Sequence, residues 1–152
     1  MEIRAKIEGL DELIAAAKMQ PAVAINEISK AVKKSVGTVH TKAVREAPAN
    51  RQTGGGTLRQ MIQDRMTSRL SGEVASRANY SIYVHEGTRP HEIRVVNKRV
   101  LANKRTGEFF GKRVMHPGTK ANPFMKRALE KSIFSINRFF SKATENIIKT
   151  FT

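Results

Sequence analysis

Four histidines are the side chains of this chain best able to exchange protons or bind metal near neutral pH. His85-Glu86 and His91-Glu92 look like fragments of a metal site. A zinc-binding helix requires His-Glu-x-x-His, and neither Val84-His85-Glu86-Gly87-Thr88 nor Pro90-His91-Glu92-Ile93-Arg94 supplies the second imidazole. His40 and His116 stand at no ligand spacing from a neighbour. The glycine stretches are equally poor phosphate cradles. Gly54-Gly55-Gly56 lacks a Lys-Thr ending, Gly107 to Lys112 is one residue short with Arg113 where a hydroxyl belongs, and Gly118-Thr119-Lys120 has its letters in the wrong order. With no cysteine there is no thiolate nucleophile, thiolate metal site or disulfide. No serine sits in a Gly-x-Ser-x-Gly elbow, and the acidic residues are too scattered to pair for acid–base work. The expectation is a protein with no catalytic, metal or cofactor site, not an enzyme.

Charge is the stronger signal. The chain carries 28 basic and 13 acidic residues, a formal net charge of +15. The excess is concentrated, because residues 89–131 hold twelve basic and three acidic side chains. Arg94, Lys98, Arg99, Lys104, Arg105, Lys112 and Arg113 surround an apparent hairpin there. Lysine and arginine contacts to phosphate carry no sequence information, so such a ribbon could follow duplex DNA without reading it. Only Phe109 and Phe110 are available for stacking on single strands. The expected partner of this surface is duplex DNA or an acidic protein face, with a solvated basic surface as the plain alternative.

The elements that must position these residues follow from periodicity. Residues 2–8 alternate and read as a half-buried strand that Gly9 ends. Leu10, Leu13, Ile14 and Ala17 then fall at helical spacing. From Ala22 a long helix carries the stripe Ile25, Ile28, Val32, Val36, Val39 and Ala43, with Glu27, Lys30, Lys34 and Lys42 opposite and Pro48 closing it. Residues 48–57 are a turn-rich loop, and Thr57 to Ile62 a short helix. Asp64 to Leu70 and Glu73 to Ser76 flank Ser71-Gly72 as a hairpin. Tyr80 to Val84 is ambiguous between strand and helix. Two strands are expected around Ile93–Val96 and Lys112–His116, separated by a basic polar insertion at 97–111. Pro123 opens a C-terminal helix whose apolar face is Phe124, Ala128, Leu129, Ile133, Ile136, Phe139, Phe140, Ala143 and Ile147. The order implies one α+β domain over residues 1–152, an antiparallel sheet packed by two long helices with an extended basic hairpin or loop.

At 39% hydrophobic residues and without tryptophan, the core is expected to be modest. No apolar run reaches the roughly 20 residues of a membrane span, and the start, Met1 to Lys6, has no signal-peptide character. A soluble cytoplasmic chain that avoids membranes is expected.

The order of motifs resembles the neck or tail-completion family of long-tailed double-stranded DNA phages. The resemblance rests on Gly9-Leu10-Asp11-Glu12-Leu13 after the first strand, and on Lys42 to Pro48 closing the long helix. Thr53-Gly54 and, after a two-residue expansion, Leu58-Arg59-Gln60-Met61-Ile62 follow. Tyr80-Ser81-Ile82-Tyr83-Val84-His85-Glu86-Gly87-Thr88 and Pro123-Phe124 to Leu129 complete it. Two departures stand out: the glycine-rich expansion before Leu58, and a glutamate one residue later than usual beside Tyr83-Val84. The resemblance implies a virion protein, assembled in the host cytoplasm as a six- or twelve-fold homo-oligomeric ring. It would complete the tail and join it to the filled head, against head-closure, tail-terminator or tail-tube proteins, with genomic duplex DNA in the channel. A free duplex-binding protein is the alternative the charge alone allows. The motif residues themselves read as structural: Gly87 for a turn, Tyr80 and Tyr83 toward a core if helical, Pro123-Phe124 as a helix start.

Overall fold

The computed structural model describes residues 18, 21–49, 56–96, 100–103 and 106–150. The strand expected at 2–8, the helix expected from Leu10 after Gly9, and most of the glycine-rich loop lie outside the described residues. So do Lys98, Arg99, Lys104 and Arg105.

The fold is α+β, and the chain divides into two compact units, one of Met1–Ala78 with Phe124–Thr152 and one of Asn79–Pro123. In the first, α1 (Pro21–Glu46) and α4 (Phe124–Ile148) pack side by side. Pro21 starts α1 with φ already set for a helix, and Pro48 discourages its continuation. α4 begins at Phe124, one residue later than expected, with Pro123 just ahead of it. The two run antiparallel. Glu27 near the start of α1 takes a 2.7 Å hydrogen bond from Asn146 near the end of α4. Glu46 at the end of α1 accepts from Arg127 (3.0 Å) and from Lys131 near the start of α4.

The seam between them is made of small residues. Ala24, Ala31, Ser35 and Ala43 are buried on α1, and Phe124, Ala128, Ser132, Ala143 and Ile147 on α4. Small side chains let the helix axes approach closely. The two buried hydroxyls are satisfied within their own helices, Ser35 donating to the Ala31 carbonyl (2.8 Å) and Ser132 to that of Ala128 (2.6 Å). This corrects one expectation. Leu129, Ile133 and Phe140, assigned to the apolar face of α4, are exposed, and the serine-containing seam beside them is what packs.

α2 (Thr57–Gln60) leads into an antiparallel hairpin, β1 (Ile62–Ser68) and β2 (Ser71–Ser76), in register Ile62↔Ser76. Its turn lies at Arg69-Leu70, not at Ser71-Gly72, and the hydroxyls of Thr67 and Ser68 both bond to that of Ser71 beside it. The hairpin rests on α1, where the His40 ring bonds the Ile62 carbonyl at 3.1 Å and lies 3.6 Å from Asp64. That is a structural use for this histidine.

In the Asn79–Pro123 unit the ambiguous segment is helical, α3 (Ser81–Glu86). Two further antiparallel pairs follow: β3 (His91–Arg94) with β6 (Arg113–His116), and β4 (Leu101–Ala102) with β5 (Phe109–Gly111). The basic insertion thus contains a small hairpin of its own. Among the described residues the strands form three separate two-stranded ladders.

Candidate interaction surface

The Asn79–Pro123 unit is fixed by its backbone. Thr88 N–H donates to the Thr119 carbonyl (2.9 Å), and Thr119 N–H donates back to the Thr88 carbonyl (3.1 Å) and hydroxyl (2.9 Å). Asn122 N–H closes on the Val84 carbonyl at 3.0 Å, tying α3 into the same clasp. Two glycines make the clasp possible. Gly87 has φ +76°, and a Cβ there would lie 2.5 Å from the Thr119 carbonyl oxygen. Gly118, at φ +88°, faces the Thr88 carbonyl in the same way. The turn expected at Gly87 is therefore real, and its mate is the turn at Gly118-Thr119.

β3 and β6 leave this clasp together. His91 and His116 are directly opposite in register and stack, with centroids 5.1 Å apart and planes at 30°. His91 Nδ1 faces the Arg89 carbonyl at 2.9 Å and so donates to it, whereas His116 Nδ1 accepts from Gly118 N–H at 3.0 Å. When neutral, the two rings are opposite tautomers. With Tyr83, Thr88 and Thr119 they line an open cleft of about 690 Å³. Among the described residues no group of three or more potential metal ligands comes together.

Of the seven cations expected to form the interaction surface, the structure brings Arg94 and Arg113 face to face across the ladder. Like charges so placed repel. Glu92 relieves this by pairing with Arg94 at 2.6 Å and sitting 3.8 Å from Arg113. Lys112 lies between β5 and β6, exposed, its carbonyl accepting from Val95 N–H at 3.1 Å. Lys98, Arg99, Lys104 and Arg105 are outside the described residues.

The motif residues divide between packing and exposure. Leu58 and Phe124 are buried and Pro48 is exposed. Arg59 lies across the end of α1, Nε donating to the Ala47 carbonyl (2.7 Å) and Nη2 toward that of Arg45 (3.4 Å), so it closes orphan carbonyls of the helix. Tyr80 and Tyr83 correct the expectation of a core: the segment is helical, yet they are 41% and 61% exposed. The same unit exposes Val96, Phe109 and Met115, at 90%, 75% and 68%; of these the sequence reading singled out Phe109 alone, as a stacking residue, and missed the other two as parts of a surface.

No protein-family model, curated protein or solved structure matches the chain.

Proposed function

We propose that this chain is a non-catalytic structural component of the neck or tail end of a long-tailed phage particle, where copies form a ring that completes the tail and joins it to the DNA-filled head. The observation that carries the reading is the character of the Asn79–Pro123 unit. None of its described residues is buried, yet its backbone is clasped, and it holds Tyr83, Phe109 and Met115 outward beside Arg94, Lys112 and Arg113. Exposed apolar groups of this size are a liability to a protein that works alone, and natural to a subunit whose neighbour covers them. The motif order supports the same reading, since Arg59, Gly87-Thr88 and Pro123-Phe124 each hold a joint of the fold.

In this reading the basic hairpins meet the DNA of the channel or an acidic face of an adjoining ring. Diffuse charge suits both, because it tolerates any passing sequence. The alternative, a free duplex-binding protein, draws on the same cations but leaves the order of motifs unexplained.

Electron microscopy of particles produced with a nonsense codon in this gene tests the proposal. Full heads beside finished, unattached tails are expected, and tails of abnormal length would shift the role to tail termination. Normal infectious particles would overturn the reading.

A further inference from the structure

A second cationic surface lies on the helix pair. A groove of about 550 Å³ runs between α1 and α4, floored by Ala31, Phe139 and Ala143 and rimmed by Lys34 and Arg138. It continues along α1 past Gly37 and Thr41 to Lys42 and Arg45. Its one carboxylate, Glu27, is already taken by Asn146 and by Lys30 at 2.5 Å, and Lys142 is paired with Glu145 at 3.0 Å. Lys42 gives its ammonium to a backbone carbonyl, that of Lys131. Among the described residues no carboxylate stands within ion-pair distance of Lys34, Arg45 or Arg138. The groove therefore presents an excess of positive charge on both banks, with Lys34 only partly offset by Glu27, and apolar surface at its bottom.

We propose that this groove is a docking site for an acidic amphipathic helix of a partner protein. Carboxylates along the ligand's flanks would meet Lys34, Arg45 and Arg138, while its apolar edge would lie on Ala31 and Phe139. The charge complementarity selects an acidic ligand, and the apolar floor selects one with hydrophobic side chains. Duplex DNA fits poorly. Packed helix axes lie only about 8–10 Å apart, too narrow for a convex duplex, and Ala31, Phe139 and Ala143 offer phosphate no donor. A second copy offers no matching ligand among its described long helices, since α1 and α4 each carry more basic than acidic side chains. The chain's own acidic stretch, residues 8–17 with Glu8, Asp11 and Glu12, is too short. From Glu27 to Arg45 the groove follows α1 for about 27 Å, whereas ten helical residues span about 15 Å.

The test uses the full chain and a fluorescent synthetic peptide of about eighteen residues, with leucine at helical i, i+3, i+4 spacing and glutamate elsewhere. Saturable binding is expected by anisotropy, weakened about tenfold or more by Lys34→Glu with Arg138→Glu. Lys33→Glu with Lys126→Glu, exposed on the same two helices but outside the groove, is expected to leave it unchanged. If the charge-reversed chain fails to melt cooperatively, Lys34→Gln with Arg138→Gln replaces it, with a smaller loss in the same direction. Three results overturn the proposal. The first is no dependence on Lys34 and Arg138. The second is equal competition by polyglutamate or a short DNA duplex. The third is a clear gain in affinity when Glu8, Asp11 and Glu12 are changed to glutamine, which would make the chain's own segment the occupant.

Discussion

In the helical unit the fixed contacts are made by side chains. Phe124, Ile147 and a row of alanines and serines fill the space between α1 and α4, and ion pairs at Glu46 with a hydrogen bond from Asn146 to Glu27 at the other end set the register. In the Asn79–Pro123 unit the fixed contacts are made by the backbone. The Thr88–Thr119 bridge, two glycines with positive φ and two short ladders hold it, while its large apolar side chains point outward. The difference teaches a division of labour. Where packing supplies the stability, side chains are consumed by it. Where main-chain hydrogen bonds supply the shape, side chains are left for a partner.

The sharpest way to break that comparison is to truncate one phenylalanine from each unit. Phe124 is 1% exposed and Phe109 75%. Phe124→Ala is expected to cost about 3–5 kcal/mol through lost burial and a cavity, a fall in Tm on the order of 10 °C for a chain of this size. Phe109→Ala should leave urea and thermal midpoints within about 0.5 kcal/mol of the parent. If both fall alike, Phe109 is part of a core and the outward surface is not available to a neighbour.

Next in size is the clasp. Gly87→Ala forces a Cβ onto the Thr119 carbonyl in a backbone region that L-residues avoid, a strain of about 1–3 kcal/mol. The loss should be local. Amide exchange at Thr88, Thr119 and Asn122 is expected to quicken by about tenfold or more, with amides in the middle of α1 unchanged. Uniform acceleration would mean that the two units unfold as one.

The helical unit was the more legible in sequence, and the reason is physical. Apolar periodicity and prolines mark where α1 and α4 begin and end, because those signals act within a few residues of themselves. Which face packs was less legible. The expected face of α4 held Phe124, Ala128, Ala143 and Ile147, which pack, together with Leu129, Ile133 and Phe140, which stay exposed, and it left out Ser132, because serine is invisible to a hydropathy count even where an i−4 carbonyl satisfies its hydroxyl. The clasp was half legible. Gly87 announced a turn, but Thr119, which bonds to Thr88 beside it, lies 31 residues away from Thr88 along the chain. Glu92 as a counter-ion shared by Arg94 and Arg113 depends on strand register, which no composition reveals. The cations of the α1–α4 groove read as a solvated face because α1 and α4 contribute them from distant stretches.

Arg59 offers a smaller and more specific test of the helical unit. Its guanidinium serves two carbonyls at the end of α1. Arg59→Met keeps the aliphatic stem and removes the donors, at an expected cost of about 1–2 kcal/mol, read as a lower denaturation midpoint. Arg59→Lys should recover little of it, since an ammonium cannot reproduce the planar fork. Full recovery by lysine would show that charge near the helix terminus, rather than the paired bonds, is what counts.

The smallest effect is a matter of pH. The Glu46 carboxyl is held below the usual glutamate range, first by the hydrogen bond from Lys131 and next by that from Arg127. A carboxylate depressed in the folded state adds stability above its unfolded value, and that contribution is lost as pH falls through the folded value. Glu46→Gln should therefore melt below the parent at neutral pH. The two curves should converge as the parent is acidified past the ordinary glutamate value of about 4.3 and on through the lower folded one. The same scan on Phe124→Ala should show a gap that does not close, since a cavity has no proton to bind. A gap for Glu46→Gln that persists undiminished in acid would mean that the side chain's shape, not its charge, joins the ends of α1 and α4.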